Sequence, residues 1–195
     1  MFRQTLVVVG HPNPQSLCHA LARAYLQGAG EGPDFQLLDL SAIQFDPVLR
    51  KGYRQRQDLE ADLKTAWDAI LWANHLLLIY PTWWGGMPAI LKGFFDRLFL
   101  PGMAFQMQEN SVLWDKLLQG KTCEIITTMD TPVWFYQLVY HNHGLRQLKQ
   151  SILEFCGIRV KKIYYFSVVK KSTPASRLKW LERMRQLGAK RANEK

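Results

Sequence analysis

Residues 75–99 read HLLLIYPTWWGGMPAILKGFFDRLF. Leu76-Leu77-Leu78-Ile79 is an unbroken apolar run, the pattern of a strand buried on both faces of a parallel sheet. Two adjacent tryptophans follow in a loop bounded by Pro81 and Pro88 and carrying Gly85-Gly86. Pro88 fits the first turn of a helix, where its missing N–H has no partner to lose. Ile90, Leu91, Phe94, Phe95, Leu98 and Phe99 then fall on one helical stripe, which Pro101-Gly102 stops. A buried strand, a tight loop and an amphipathic helix in that order form one half of a strand–helix–strand unit.

The same alternation continues on both sides. Leu6-Val7-Val8-Val9 is a second apolar run, ending at Gly10, and Ser16 is suited to cap a helix striped by Leu17, Leu21 and Ala24. Phe35–Leu40 reads as a strand and Asp58–Trp72 as an amphipathic helix. Beyond the opening stretch, Thr122–Thr128 reads as a strand, about Leu145–Phe155 as a helix, Arg159–Val168 as a more polar edge strand, and Ser172–Ala189 as a last helix. Strands alternating with helices imply parallel pairing through right-handed crossovers. The expectation is a doubly wound α/β sheet of five parallel strands over residues 1–195, as a single domain. In such sheets ligands bind beyond the carboxyl ends of the strands. The loops after the first, third and fourth strands are therefore the candidate site.

The first of these loops, Gly10-His11-Pro12-Asn13-Pro14-Gln15-Ser16-Leu17-Cys18, leads into a helix N-terminus, whose unpaired N–H groups and dipole favour anions. His11 and Ser16 add a ring N–H and a hydroxyl. A plain Pro-rich turn capped by Ser16 accounts for the same residues equally well. No GxGxxG and no Walker A motif is present, which excludes the ordinary dinucleotide fingerprint and the P-loop NTPases. The second loop, Tyr80 to Pro88, presents Trp83 and Trp84. A flat aromatic ligand explains such a pair; so does a hydrophobic lid or subunit interface. The third, Thr127-Thr128-Met129-Asp130-Thr131-Pro132-Val133-Trp134-Phe135-Tyr136, supplies hydroxyls and further aromatics.

The stretch Tyr80–Phe99 resembles the hallmark of the NAD(P)H:quinone oxidoreductase family, aromatic-Pro-x-x-Trp-x-Gly-x-Pro-Ala-x-Leu-Lys-Gly-x-[FI]-[DE]-Arg-[VL]-Phe. The loop from His11 to Ser16 is similar to that family's His-x4-Ser loop. The resemblance extends over about residues 5 to 168, and its character is that of the small bacterial NAD(P)H dehydrogenases (quinone). It implies a flavodoxin-like three-layer fold of strand order 2-1-3-4-5, FAD or FMN as cofactor, NAD(P)H as co-substrate, a quinone or similar aromatic acceptor, and a homodimer. By resemblance, His11, Ser16, Leu17 and Cys18 hold the flavin phosphates. Pro81, Thr82, Trp83, Trp84 and Gly85 contact the ribityl chain and ring. Thr127, Thr128, Met129 and Asp130 reach the ring's polar edge. Tyr136 and His141, with His143 as the alternative register, are the candidates for supporting charge on the reduced ring. Trp83, Trp84, Phe105 and Trp134 are expected to form a flat apolar slot. The family's Thr-Thr-Gly-Gly is replaced by Thr127-Thr128-Met129-Asp130.

Composition narrows the alternatives. The chain carries a formal net charge of +9, concentrated in Lys161–Lys162, Lys170–Lys171 and the stretch Arg177–Lys195. No nucleic-acid-binding signature accompanies it, and the excess reads as a solvated helix face and an edge strand. It argues against a one-electron carrier of the flavodoxin type, which is ordinarily strongly acidic. The resemblance also implies an alternative, an ancillary subunit of a potassium-efflux system like some members of that family, whose basic surface would then meet an acidic protein or the anionic membrane. The three cysteines, Cys18, Cys123 and Cys156, support neither a disulfide framework nor a zinc site. The absence of an N-terminal leader pattern or a long apolar run leads to the expectation of a cytoplasmic protein.

Overall fold

The computed structural model describes residues 4–30 and 32–193. Five parallel strands form one sheet: β1 (Thr5–Val9), β2 (Phe35–Asp39), β3 (His75–Pro81), β6 (Thr122–Met129) and β7 (Arg159–Ser167), in the spatial order β2-β1-β3-β6-β7. Counting only sheet strands, this is 2-1-3-4-5, as expected. Every residue of β1 and β3 is buried, which explains why both read as continuous apolar runs. The side chains alternate between two cores. Leu6, Val8, Leu76 and Leu78 face one, with Leu63, Ile70, Leu91 and Phe94; Val7, Val9, Leu77 and Ile79 face the other, with Leu21, Tyr25 and Met184. The edge strands β2 and β7 are half polar.

Helices α1 (Leu17–Ala29) and α6 (Pro174–Asn193) cover the second core, and they meet where Gly28 lies against the Arg185 carbonyl and Gly188 against that of Tyr25. Any side chain at either glycine would collide with backbone. Helices α2 (Ala61–Trp72) and α3 (Ala89–Leu98) cover the first core. Arg97 of α3 is fully buried; its guanidinium bonds both Glu60 carboxylate oxygens, at 3.0 and 2.9 Å, and the carbonyls of Asp46 and Asp58. It thereby anchors the irregular segment that joins β2 to α2.

Other features depart from the sequence reading. A short hairpin, β4 (Phe105–Met107) and β5 (Trp114–Lys116), follows α3. The expected helix at about Leu145–Phe155 consists of α5 (His143–Arg146) continued by a π-type segment, Gln147–Glu154. Trp114 stacks on Phe155 with ring centres 4.4 Å apart and donates its Nε1–H to the Phe155 carbonyl. Phe105 packs edge-on to the same ring, so it belongs to this hairpin contact and not to a slot with Trp83 and Trp84. A further short helix, α4 (Val133–Leu138), follows β6 directly. Of the basic C-terminal stretch, residues 194–195 lie outside the described residues.

Candidate active site

β1 has β2 on one side and β3 on the other, so the direction of winding reverses between β1 and β3. The crevice beyond their carboxyl ends is where such a fold opens. Three loops line it, and each is held by its own hydrogen bonds.

In the β1–α1 loop, Asn13 N–H donates to His11 Nδ1 at 2.9 Å, Gln15 N–H to Asn13 Oδ1, and Ser16 N–H to the Asn13 carbonyl. Because His11 Nδ1 accepts, the neutral ring carries its proton on Nε2 and presents a donor. Burial, and then the neighbouring His19, push the His11 pKa below its usual value, which keeps that neutral form at pH 7. Ser16 is the N-cap of α1, and its hydroxyl oxygen accepts from His19 N–H. The N–H groups of Leu17 and Cys18, in the first turn, have no intrahelical partner.

In the β3–α3 loop, Trp83 and Gly86 exchange N–H···O bonds at 2.9 Å and close a tight turn over Trp84 and Gly85. Both central residues have positive φ, 51° and 76°, the geometry of a type I′ turn. Trp84 is fully exposed at the tip, and Trp83, 45% exposed, leans edge-on against His11 at 5.4 Å. Thr82 N–H bonds the Thr128 carbonyl, and its hydroxyl bonds that of Thr127 at 2.7 Å.

In the loop after β6, Asp130 Oδ1 accepts from Lys170 N–H at 2.6 Å, and Ser167 Oγ–H donates to the Thr131 carbonyl. Both bonds tie this loop to the β7–α6 connection. Tyr136, on α4, is fully buried, and its hydroxyl donates to the Gly85 carbonyl at 2.8 Å. Burial raises its pKa, offset in part by the backbone N–H groups of Leu145 and Gly144. Gly144 lies so close to the Gly85 carbonyl and to Gly86 that a Cβ there would overlap them. Tyr136 and Gly144 therefore clamp the Trp84–Gly85 turn.

Two cavities adjoin across Thr82 and Asp130. The smaller, about 330 Å3, lies over the N-terminus of α1 and is walled by His11, Ser16, Leu17 and Cys18, by Pro81 and Trp83, and by Thr128 and Met129. The larger, about 740 Å3, is walled by Trp84, Gly85, Gly86, Tyr136, Tyr140 and His143. Twelve of the thirteen residues that the resemblance assigned to the cofactor thus line one cavity or the other. Thr127 lines neither: it is fully buried, and its hydroxyl is tied to Thr82. His141 is exposed and off the cavity wall, whereas His143 is on it. Trp134 is 61% exposed and lines neither cavity, so the aromatic slot is not assembled as expected. Asn13, Gly86, Thr131, Tyr140, Gly144, Gln147 and Val169 also line the cavities, and the sequence assigned none of them a role. Among the described residues, no group of histidines, cysteines and carboxylates could hold a metal ion.

A parallel sheet of this order with its crevice built from these loops defines a flavodoxin-like protein. The chain belongs to that family: the model described as flavodoxin-like fold matches residues 3–187. Among its relatives, an uncharacterized NAD(P)H oxidoreductase of Haemophilus influenzae is 30% identical over 159 residues, covering 78% of each chain. The NAD(P)H dehydrogenase [quinone] 1 of Cavia porcellus is 26% identical over 81% of this chain and 66% of its own. The crystal structure of Smu.1420 from Streptococcus mutans UA159 superposes with a TM-score of 0.82 at 35% identity, covering 95% of this chain and 98% of its own.

Proposed function

We propose that the chain is a flavin-dependent NAD(P)H oxidoreductase that passes two electrons to quinones or similar aromatic acceptors. One observation carries the reading: a smaller, donor-lined cavity at a helix N-terminus adjoins a larger cavity edged by aromatic residues. That is the shape of a phosphorylated tail leading to a planar ring. The residues fit a flavin, FMN or FAD. His11 Nε2–H, the Ser16 hydroxyl and the first N–H groups of α1 are donors suited to phosphate. Thr82, Trp83 and Thr128 line the path of the ribityl chain. The Trp84–Gly85 turn forms one wall of the ring cavity, and among the described residues the N–H groups of Trp84 and Gly85 make no hydrogen bond. They are free to meet a polar ring edge.

A bound flavin supplies the capacity to take a hydride from NAD(P)H and return it, so that NAD(P)H, a proton and a quinone yield NAD(P)+ and hydroquinone. The chain's own contribution is placement. The Tyr136–Gly85–Gly144 clamp fixes the turn that backs the ring, Asp130 stands between the two cavities, and His143 and Tyr140 line the open side where donor and acceptor enter in turn. The relatives' NAD(P)H oxidoreductase and quinone dehydrogenase names support the same chemistry. Trp84, together with Trp134 and Leu138 of α4, is an exposed apolar rim near the larger cavity, which favours a homodimer closing over it. Among the described residues no helix is long and apolar enough to cross a membrane.

Purified protein should be yellow. Heat release and chromatography of the chromophore should identify FMN or FAD, and NAD(P)H should be oxidised only in the presence of an acceptor quinone or slowly by oxygen. Protein that stays colourless and gains no flavin absorbance on incubation with FMN or FAD refutes the proposal.

A further inference from the structure

Behind the smaller cavity runs a chain of hydrogen bonds that the loop geometry alone does not require. Ser16 Oγ lies 2.8 Å from His19 Nδ1, and His19 Nε2 lies 2.9 Å from Asp39 Oδ1, at the end of β2. Ser41 donates both its N–H, at 2.9 Å, and its hydroxyl, at 2.7 Å, to the same Asp39 oxygen. His19 is 4% exposed. Asp39 and, across a ring-centre distance of 6.3 Å, His11 are the titratable groups that face it among the described residues; Ser16 and Ser41 are its neutral neighbours.

The proton positions follow from counting donors. Burial works against the Asp39 carboxylate, but the bonds from His19 and Ser41 outweigh it and hold its pKa below the ordinary value. Asp39 is thus an acceptor, and His19 Nε2 carries a proton. The other nitrogen then decides what Ser16 can do. When the imidazole is neutral, Nδ1 accepts the Ser16 hydroxyl hydrogen, and the hydroxyl offers the cavity only lone pairs. When the imidazole is protonated, Nδ1–H donates to Ser16 Oγ. That oxygen already accepts His19 N–H, so its own hydrogen turns to the cavity.

We propose that His19 and Asp39 are positioning residues of the anion cavity, and that a phosphate group enters it together with a proton taken up by His19. The inference rests on the flavin reading of this cavity and goes beyond it by assigning the proton inventory of binding. A neutral flavin without phosphate needs no such turn of the Ser16 hydroxyl.

The test is calorimetric titration of the full chain, freed of flavin, with FMN, FAD and riboflavin at about pH 7.5, where a phosphate monoester is already mostly dianionic. Two buffers of different ionisation enthalpy give the proton count. FMN or FAD should bind with net proton uptake, and riboflavin with none. His19→Gln should abolish the uptake and weaken the phosphorylated flavin by about tenfold or more, the scale of a charge-assisted hydrogen bond, while leaving riboflavin affinity within about twofold. Ser16→Ala should remove the same preference, and His11→Asn should weaken binding but retain the uptake. A merely structural His19 would weaken riboflavin and FMN equally. Uptake unchanged in His19→Gln, or equal uptake with riboflavin, overturns the inference with the flavin reading intact. Failure of wild-type protein to bind any of the three overturns both.

Discussion

Trp84 is the residue at which a ligand-stacking role and a role in the core part most sharply. Were it a core residue, Trp84→Ala would cost about 3–5 kcal/mol. At about 2–4 °C per kcal/mol for a chain of this size, the melting temperature would fall by roughly 6–20 °C. The structure removes that term. The side chain is fully exposed on the single subunit, so its truncation forfeits almost no area buried within the fold, and at protein concentrations low enough to keep subunits apart the expected change is within about 0.5 kcal/mol, or about 2 °C. The backbone adds a second handle. Trp84 has φ of 51°, a left-handed conformation that costs a residue with a Cβ about 1–2 kcal/mol. Alanine keeps that strain. Glycine relieves it, at the expense of about 0.5–1 kcal/mol of chain entropy, so Trp84→Gly should melt at the wild-type temperature or a few degrees above. Loss of a stacked aromatic contact is worth about 0.5–1.5 kcal/mol, hence a two- to twelvefold loss, roughly, in flavin or acceptor affinity for either variant. Thermal melts of the flavin-free chain, paired with fluorescence titration of flavin and steady-state KM for a quinone, measure both quantities. Trp114→Ala serves as calibration, since that ring is stacked on Phe155 and its truncation should lower the melt. A Trp84→Ala melt lowered by more than about 6 °C, with flavin and quinone handling unchanged, would refute the reasoning.

Other positions give equally direct tests. Arg97→Ala strands Glu60 and two backbone carbonyls; because Glu60 keeps 35% of its side chain in water, the loss should lie near the low end of about 3–5 kcal/mol, and Arg97→Lys should not restore the bidentate pair, as denaturant melts can establish. Tyr136→Phe should lower stability by about 1 kcal/mol and leave the turnover number nearly intact, because the hydroxyl holds the Gly85 carbonyl; a collapse in turnover with an unchanged melt would make Tyr136 a proton donor instead. Gly144→Ala forces backbone apart at the clamp and should cost about 1–3 kcal/mol together with weaker flavin binding, read by melt and titration. The depressed Asp39 pKa contributes stability that is present above about pH 4 and lost as pH falls through its folded value, so Asp39→Asn should be less stable at neutral pH and lose less on acidification than wild type.

The layered fold was legible because the sheet's inner strands are buried on both faces, and runs as continuous and short as Leu6–Val9 and Leu76–Ile79 can be buried on every side only at the centre of such a sheet. The hairpin was not: strands of three residues, Phe105–Met107 and Trp114–Lys116, are too short to show a period, and what fixes them is the distant Phe155. The site was legible at the level of loops and less so at the level of side chains. Adjacent residues on a strand point to opposite sides, so of Thr127 and Thr128 only one could face the cavity, and nothing local says which. His141 and His143 are separated by a turn built on two residues in left-handed conformation, His141 and Asn142, and that turn decides which imidazole reaches the wall. The Ser16–His19 pair had a visible signal, since three residues apart on a first helical turn is a contact distance. Its partner Asp39 comes from another strand, and only the β1–β2 register brings it alongside.

The left-handed residues also bear on function. Among the described residues four that are not glycine have positive φ: Trp84, Asn110, His141 and Asn142. Asn110 lies between the hairpin strands, where asparagine turns are ordinary. The other three bracket the larger cavity, one on the turn that walls it and two just before His143 and Gly144. Strain of this kind persists only where surrounding contacts hold it, and here the contacts are identifiable: the reciprocal Trp83–Gly86 bonds, the Tyr136 hydroxyl on Gly85, and the Gly144 approach. Asn142 is held by its N–H to the Tyr136 carbonyl, so a single residue, Tyr136, bonds both strained segments, one through its side chain and the other through its backbone. A cavity wall whose two strained segments are both bonded to one buried residue is set before any ligand arrives. A planar cofactor can therefore bind there with little ordering of the protein, and its loss should leave the walls in place.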